Sequence, residues 1–142
     1  MPGVFSIGYQ GKGLEVFRNR LVENHVSMVV DVRNHAFSMK KGFSKKPLTE
    51  CLKKEKIGYL HIRELGIESY KRKNLDEEGA RERLFADYRK ELQNKKEFVQ
   101  QIVELGKTKR IALLCFEANP KDCHRGVLSQ ELEKQGLAVL HL

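Results

Sequence analysis

Ser27-Met28-Val29-Val30-Asp31-Val32 is an apolar run too continuous for a strand with one face in water. It reads as a buried strand of a parallel sheet. Upstream, Leu14, Phe17, Arg18, Leu21 and Val22 have the i, i+3, i+4, i+7, i+8 spacing of a helix that buries one face, and Val4 to Gly8 make a short first strand. Downstream, Pro47 suits a first helical position and opens a helix to Lys56; Gly58 breaks it before a third strand, Tyr59 to Ile62. Residues 63–78 are polar and lack a period, which makes them a loop long enough to be functional or mobile. Ala80 to Lys107 is helical, divided at Asn94-Lys95-Lys96. Ile111 to Cys115 is a fourth strand, Cys123 to Gln135 a last helix closed by Gly136, and Ala138 to Leu142 a fifth strand. Strands separated by helices of this length pair in parallel through right-handed crossovers. The expected fold is α/β: one domain over residues 1–142, a three-layer αβα sandwich around a Rossmann-like, mostly parallel sheet of about five strands.

A chain of 142 residues holds one core of ordinary size and needs neither disulfide nor metal to fold. No apolar run approaches the roughly 18 residues of a membrane span, and MPGVFSIGYQ lacks the basic start of a signal peptide, so no membrane partner is expected. Cys51, Cys115 and Cys123 are too few for a disulfide framework and fit a reducing compartment, with the cytoplasm as the expected location. The formal net charge of +8 is unevenly spread: residues 40–73 carry eleven basic and four acidic side chains, whereas residues 74–142 carry twelve of each. That segment is either a solvated lysine-rich face or a surface for an anionic partner, a phosphate-bearing small molecule or a nucleic acid.

In an open parallel sheet, ligands bind outside the carboxyl ends of the strands. If the first strand is central, flanked by the second and fourth, three clusters meet in one crevice. One is Gly8-Tyr9-Gln10, in a glycine-containing turn that matches neither phosphate-loop nor dinucleotide spacing. The second is Asp31 and Arg33, two apart in extended geometry and therefore on one side. They form either an ion pair at a strand terminus or a base beside an anion ligand. The third runs from Cys115 and Glu117 to Cys123, His124 and Arg125. With Asp122 as N-cap, Cys123, His124 and Arg125 fall in the first helical turn, where free N–H groups and the dipole favour an anion and a thiolate. Adjacent positions on a helix point about 100 degrees apart, so Cys123 and His124 need not touch. There is no C-x₂₋₄-C pair, and an adjacent Cys-His rarely serves one tetrahedral ion, so neither metal nor cofactor is expected.

Four segments, SIGYQGKGLEVF (6–17), VVDVRNHAFSMKKGFSK (29–45), YLHIRELG (59–66) and LLCFEANPKDCHR (113–125), resemble the family designated domain of unknown function 488. The resemblance implies a Rossmann-like α/β fold and picks out Gly8, Asp31, Arg33, Ser38, Tyr59, Leu65, Gly66, Cys115, Glu117, Cys123, His124 and Arg125. It implies no activity. Where members usually carry proline after the DVR motif, this chain has His35-Ala36-Phe37. A looser similarity links the DVR strand and the cysteine-ended strand to rhodaneses and their phosphatase relatives, but here Cys115 is followed by FEANPK and no arginine before Arg125.

Two functions follow as expectations. The first is a metal-independent hydrolase or transferase acting on a phosphate-bearing substrate. Arg33, Ser38 and Arg125 would hold the anion, Asp31 or Glu117 would be the base, and His124 the acid, with Cys123 a candidate nucleophile. The second is a nucleic-acid-binding module that uses the 40–73 segment, with Phe43, Tyr59 or Tyr70 as stacking faces. A thiol-based sulfur-transfer or phosphatase-like activity is the further alternative.

Overall fold

The computed structural model describes residues 2–142, which form five strands, five α-helices and three short 3₁₀ turns. The strands are β1 (Gly3–Gly8), β2 (Met28–Asp31), β3 (Gly58–His61), β4 (Arg110–Cys115) and β5 (Val139–His141). The helices are α1 (Leu14–Glu23), α2 (Lys45–Lys54), α3 (Ala80–Leu92), α4 (Lys96–Thr108) and α5 (His124–Lys134). Each inter-strand pairing is parallel, in the order β3-β2-β4-β1-β5. The sheet therefore differs from the expected arrangement in one respect: β4, not β1, is central, between β2 and β1. Strand order depends on which neighbour best covers each apolar face, and the local pattern of a strand does not encode it.

Side-chain alternation divides the core in two. On one face Phe5, Ile7, Val29, Ala112 and Leu114 pack under Phe17 and Leu21 of α1 and Leu48 and Leu52 of α2. On the other, Val4, Val30, Ile111 and Leu113 pack against Tyr88 and Leu92 of α3, Ile102 and Val103 of α4, and Leu128 and Leu132 of α5. This is a three-layer sandwich whose strands have both faces covered, which explains why they read as unbroken apolar runs. Helix α2 begins at Lys45, two residues before Pro47, with Ser44 as its extended N-cap. The 63–78 segment holds 3₁₀ turns at Arg63–Leu65 and Ser69–Lys71 and buries Leu65 and Ile67. Among the described residues, no helix is long and apolar enough to cross a membrane.

Candidate functional site

A crevice of about 360 Å³ opens at the carboxyl ends of β2, β4 and β1. Cys115 and His124 lie at its floor; Tyr9, Arg33 and Ser38 form its wall, and Arg72 reaches it from the 63–78 segment. The rest of its lining combines Asn34 and His35 with three apolar side chains. Phe37, Met39 and Phe116 are 56%, 91% and 42% exposed and all line this opening. Three such side chains form an apolar mouth beside the ionisable groups of the crevice.

Beside the crevice, the end of β2 carries a closed polar network. Asp31 is wholly buried. Its carboxylate accepts the Arg33 backbone N–H at 3.0 Å, Arg33 Nε at 2.9 Å and Arg33 Nη2 at 2.7 Å, and also the Tyr59 hydroxyl. Arg33 Nη1 donates to the Phe43 carbonyl at 2.7 Å and to Tyr9 Oη at 3.3 Å. Burial works against the Arg33 charge, but bonding to Asp31 outweighs it and raises the pKa. Burial and the Asp31 carboxylate likewise push the Tyr59 hydroxyl well up, so it remains a donor. Of the two readings of Asp31 and Arg33, the geometry is that of a bidentate ion pair. Tyr9 stacks on Phe43 at 4.5 Å between ring centroids and meets Phe116 edge-on at 5.3 Å, which joins this network to the crevice mouth. Ser38 accepts the Lys40 backbone N–H at 3.1 Å and shapes the 34–44 loop.

On the β1 side, Arg125 is wholly buried and has no carboxylate partner among the described residues. Its Nε donates to Ser6 Oγ at 3.1 Å, Nη1 to the Glu117 carbonyl at 2.7 Å and Nη2 to the Ala118 carbonyl at 3.3 Å. The guanidinium thus clamps the loop after β4 through neutral acceptors alone. The field of its charge reaches its neighbours. The Lys12 pKa is lowered by partial burial and by the charges of Arg20, Arg125 and Lys40. The pKa of His141, which bonds Ser6 Oγ, is lowered by partial burial and by Arg125. Gly8 is required here because a Cβ would strike the Glu117 carbonyl, and Gly66 because a Cβ would strike the Asn34 backbone N. Gln10 completes the loop pairing: its N–H donates to the Phe116 carbonyl at 2.8 Å, and its side-chain oxygen accepts the Ala118 N–H at 3.1 Å.

The third cluster differs from expectation in its cap. Asp122 ends a 3₁₀ turn, and Cys123 is the N-cap of α5, with extended φ −133° and ψ 147°. Its sulfur accepts the Arg125 backbone N–H at 3.5 Å. Because Cys123 lies outside the helix, the 100-degree divergence does not apply, and its side chain meets that of His124. His124 Nε2 lies 2.8 Å from the Val32 carbonyl, an acceptor only, so Nε2 carries the proton and Nδ1 faces the thiols. Cys115 Sγ is 3.6 Å from Nδ1, and Cys123 Sγ 3.8 Å. Cys115 Sγ also donates to Glu117 Oε2 at 3.6 Å. Burial, then the neighbouring Cys115, pushes the Cys123 thiol well above its ordinary range. Burial disfavours a charged His124 ring, but bonding to Cys123 and to the Val32 carbonyl outweighs it and raises the pKa.

Tyr9, Arg33, Ser38, Cys115 and His124 therefore face the crevice, while Asp31, Cys123 and Arg125 lie behind it and Gly8, Gln10 and Glu117 hold or flank the loop after β4. Sequence reasoning missed Ser6, an isolated small polar residue in a strand, and Tyr88, whose hydroxyl donates to the Leu65 carbonyl at 2.6 Å while its ring meets His124 edge-on. It also missed the apolar mouth, for which Phe116 immediately after β4 and Phe37-Ser38-Met39 in the loop after β2 were the available signal.

No curated protein and no solved structure matches this chain. The model of the family described as "Domain of unknown function DUF488" matches residues 13–132, and the chain belongs to that family.

Proposed function

We propose that this chain is an enzyme acting on a phosphate-bearing substrate that also carries an apolar or aromatic moiety, as a nucleotide does. The observation that carries the reading is the mouth formed by Phe37, Met39 and Phe116 above an ionisable floor of Cys115 and His124. The apolar side chains would cover the aromatic part, and the phosphate would lie toward Arg72 and the positive field of the buried Arg125. Arg33 and Arg125 act in this reading as fixed charges and loop clamps, because their donors are engaged by the protein itself. Glu117 is the candidate base, since it already accepts a proton-bearing sulfur, and His124, whose Nε2 is held by the Val32 carbonyl, is an orienting group. The test is a screen of nucleotides and phosphate esters for turnover. Glu117→Gln should lower kcat by about 100-fold or more, and Phe116→Ala should raise KM with kcat nearly unchanged. Turnover indifferent to both substitutions would overturn the reading.

A second reading is supported by the surface of residues 41–56, where Lys41, Lys45, Lys46, Lys53, Lys54 and Lys56 are all exposed. A polymer such as single-stranded nucleic acid could follow these charges to the crevice. Two of the three expected stacking faces are taken up by the fold: Phe43 is wholly buried and Tyr59 is bonded to Asp31, which leaves Tyr70, 67% exposed. Binding at low salt that vanishes when Lys45 and Lys46 become glutamate would support it; binding unchanged by salt would exclude it.

A further inference from the structure

We propose that Cys115, Cys123 and His124 form a binding site for one thiophilic divalent ion of the zinc class, with its open coordination position toward the crevice. The donor atoms of the three residues lie within 4.8 Å of one another, and all three residues are buried. Zinc–sulfur bonds of about 2.3 Å and zinc–nitrogen bonds of about 2.0–2.1 Å place sulfur and nitrogen about 3.6 Å apart at tetrahedral angles. The two sulfur-to-Nδ1 distances are 3.6 and 3.8 Å. Two thiolates and one imidazole are a soft set that suits this ion and excludes magnesium and calcium.

The surroundings orient the donors as a metal site requires. The Val32 carbonyl takes the proton on Nε2 and turns Nδ1 toward the sulfurs, the outer-shell arrangement typical of a ligating histidine. The Arg125 backbone N–H donates to Cys123 Sγ and would stabilise it as a thiolate. Cys115 and His124 line the crevice, so an ion has a route in, and a water or substrate oxygen can complete the coordination. Cys115 Sγ lies nearer to Nδ1, at 3.6 Å, than to Nε2, at 3.9 Å. As the two sulfur–metal bonds form, the two S–H bonds break and two protons leave; Glu117 Oε2 is already the acceptor of one of them. The expectation that no metal is bound rested on the lack of a C-x₂₋₄-C pair and on the adjacency of Cys123 and His124; the fold instead brings a second sulfur, Cys115 at the end of β4, to that pair.

The site does not rest on the substrate proposed above, and it is tested without turnover. The reduced, chelator-treated full chain is titrated with Co²⁺ and then with Zn²⁺. One equivalent of Co²⁺ should develop the visible bands of a tetrahedral thiolate site and be displaced by one equivalent of Zn²⁺. Cys115→Ser, Cys123→Ser and His124→Ala should each weaken binding by about 100-fold or more, and Cys51→Ser should leave it intact. Because buried substitutions can impair folding, X-ray absorption at the zinc edge of the unaltered chain is the deciding measurement: two sulfurs at about 2.3 Å are expected. One sulfur or none, or failure to bind a stoichiometric ion, overturns the proposal. Phosphate binding by the metal-free chain is measured separately, so either proposal can fail alone.

Discussion

Replacing Asp31 by asparagine keeps the shape of the side chain and removes its charge, and the network at the end of β2 sets the cost. The carboxylate is wholly buried and accepts three N–H groups of Arg33 together with the Tyr59 hydroxyl. After Asp31→Asn the guanidinium remains in the interior with the Phe43 carbonyl, Tyr9 and a single amide oxygen as acceptors, and the amide N–H₂ faces Arg33 N–H groups that cannot accept from it. Breaking a buried pair from one side costs about 3–5 kcal/mol. For a domain of this length that corresponds to a fall in Tm of roughly 10–15 °C. Tyr59→Phe removes one hydrogen bond to a charged acceptor and should cost about 1.5–3 kcal/mol. Urea unfolding at neutral pH, followed by circular dichroism, measures both. A loss under about 1 kcal/mol for Asp31→Asn would mean that the pair is solvated, and would refute the reading of Arg33 as a strut that is already engaged.

Gly8→Ala drives a Cβ into the Glu117 carbonyl, which Arg125 holds from the other side; a loss of about 1–3 kcal/mol is expected, measured by denaturant titration and accompanied by shifted Glu117 and Ala118 amide resonances. The His141 imidazole should titrate below its ordinary pKa of about 6.5 in an NMR pH series, because partial burial and Arg125 disfavour its charged form. The unfolded chain then binds a proton more readily than the folded one, so this contribution is complete above the unfolded pKa and is lost as pH falls through the folded pKa. His141→Gln should flatten that acid limb. Arg125→Lys keeps the charge but cannot reach both carbonyls and Ser6 together, and should expose the 116–122 loop to hydrogen exchange without changing protection in β2.

The layers were legible because burial on both faces leaves a strand no polar alternation, so β2 and β4 announce themselves as Met28–Asp31 and Arg110–Cys115. Their order was not, since β1 and β4 have equally apolar patterns and only packing across the sheet selects the centre. Asp31, Arg33, Cys115, His124 and Arg125 were found because charge or a reactive sulfur at a strand or helix end is unusual. Where they point was not legible. It depends on the loops 34–44 and 116–122, which turn the carbonyls of Phe43, Glu117 and Ala118 inward onto the two arginines. No period in the sequence records that turn. The cap of α5 shows the same limit at short range: Asp122 has the better side chain for capping, but the 3₁₀ turn at Pro120–Asp122 takes it and leaves the position to Cys123.

The crevice itself is tested most directly by titrating the isotope-labelled chain with a nucleoside monophosphate, and in parallel with inorganic phosphate, while amide and methyl resonances are recorded. Saturable shifts at Phe37, Met39 and Phe116 with the nucleotide, and shifts near His124 and Arg72 with both ligands, are the predicted result. Shifts confined to Lys41 and the lysines of α2, or no saturable shift around Cys115 and His124, would contradict the account.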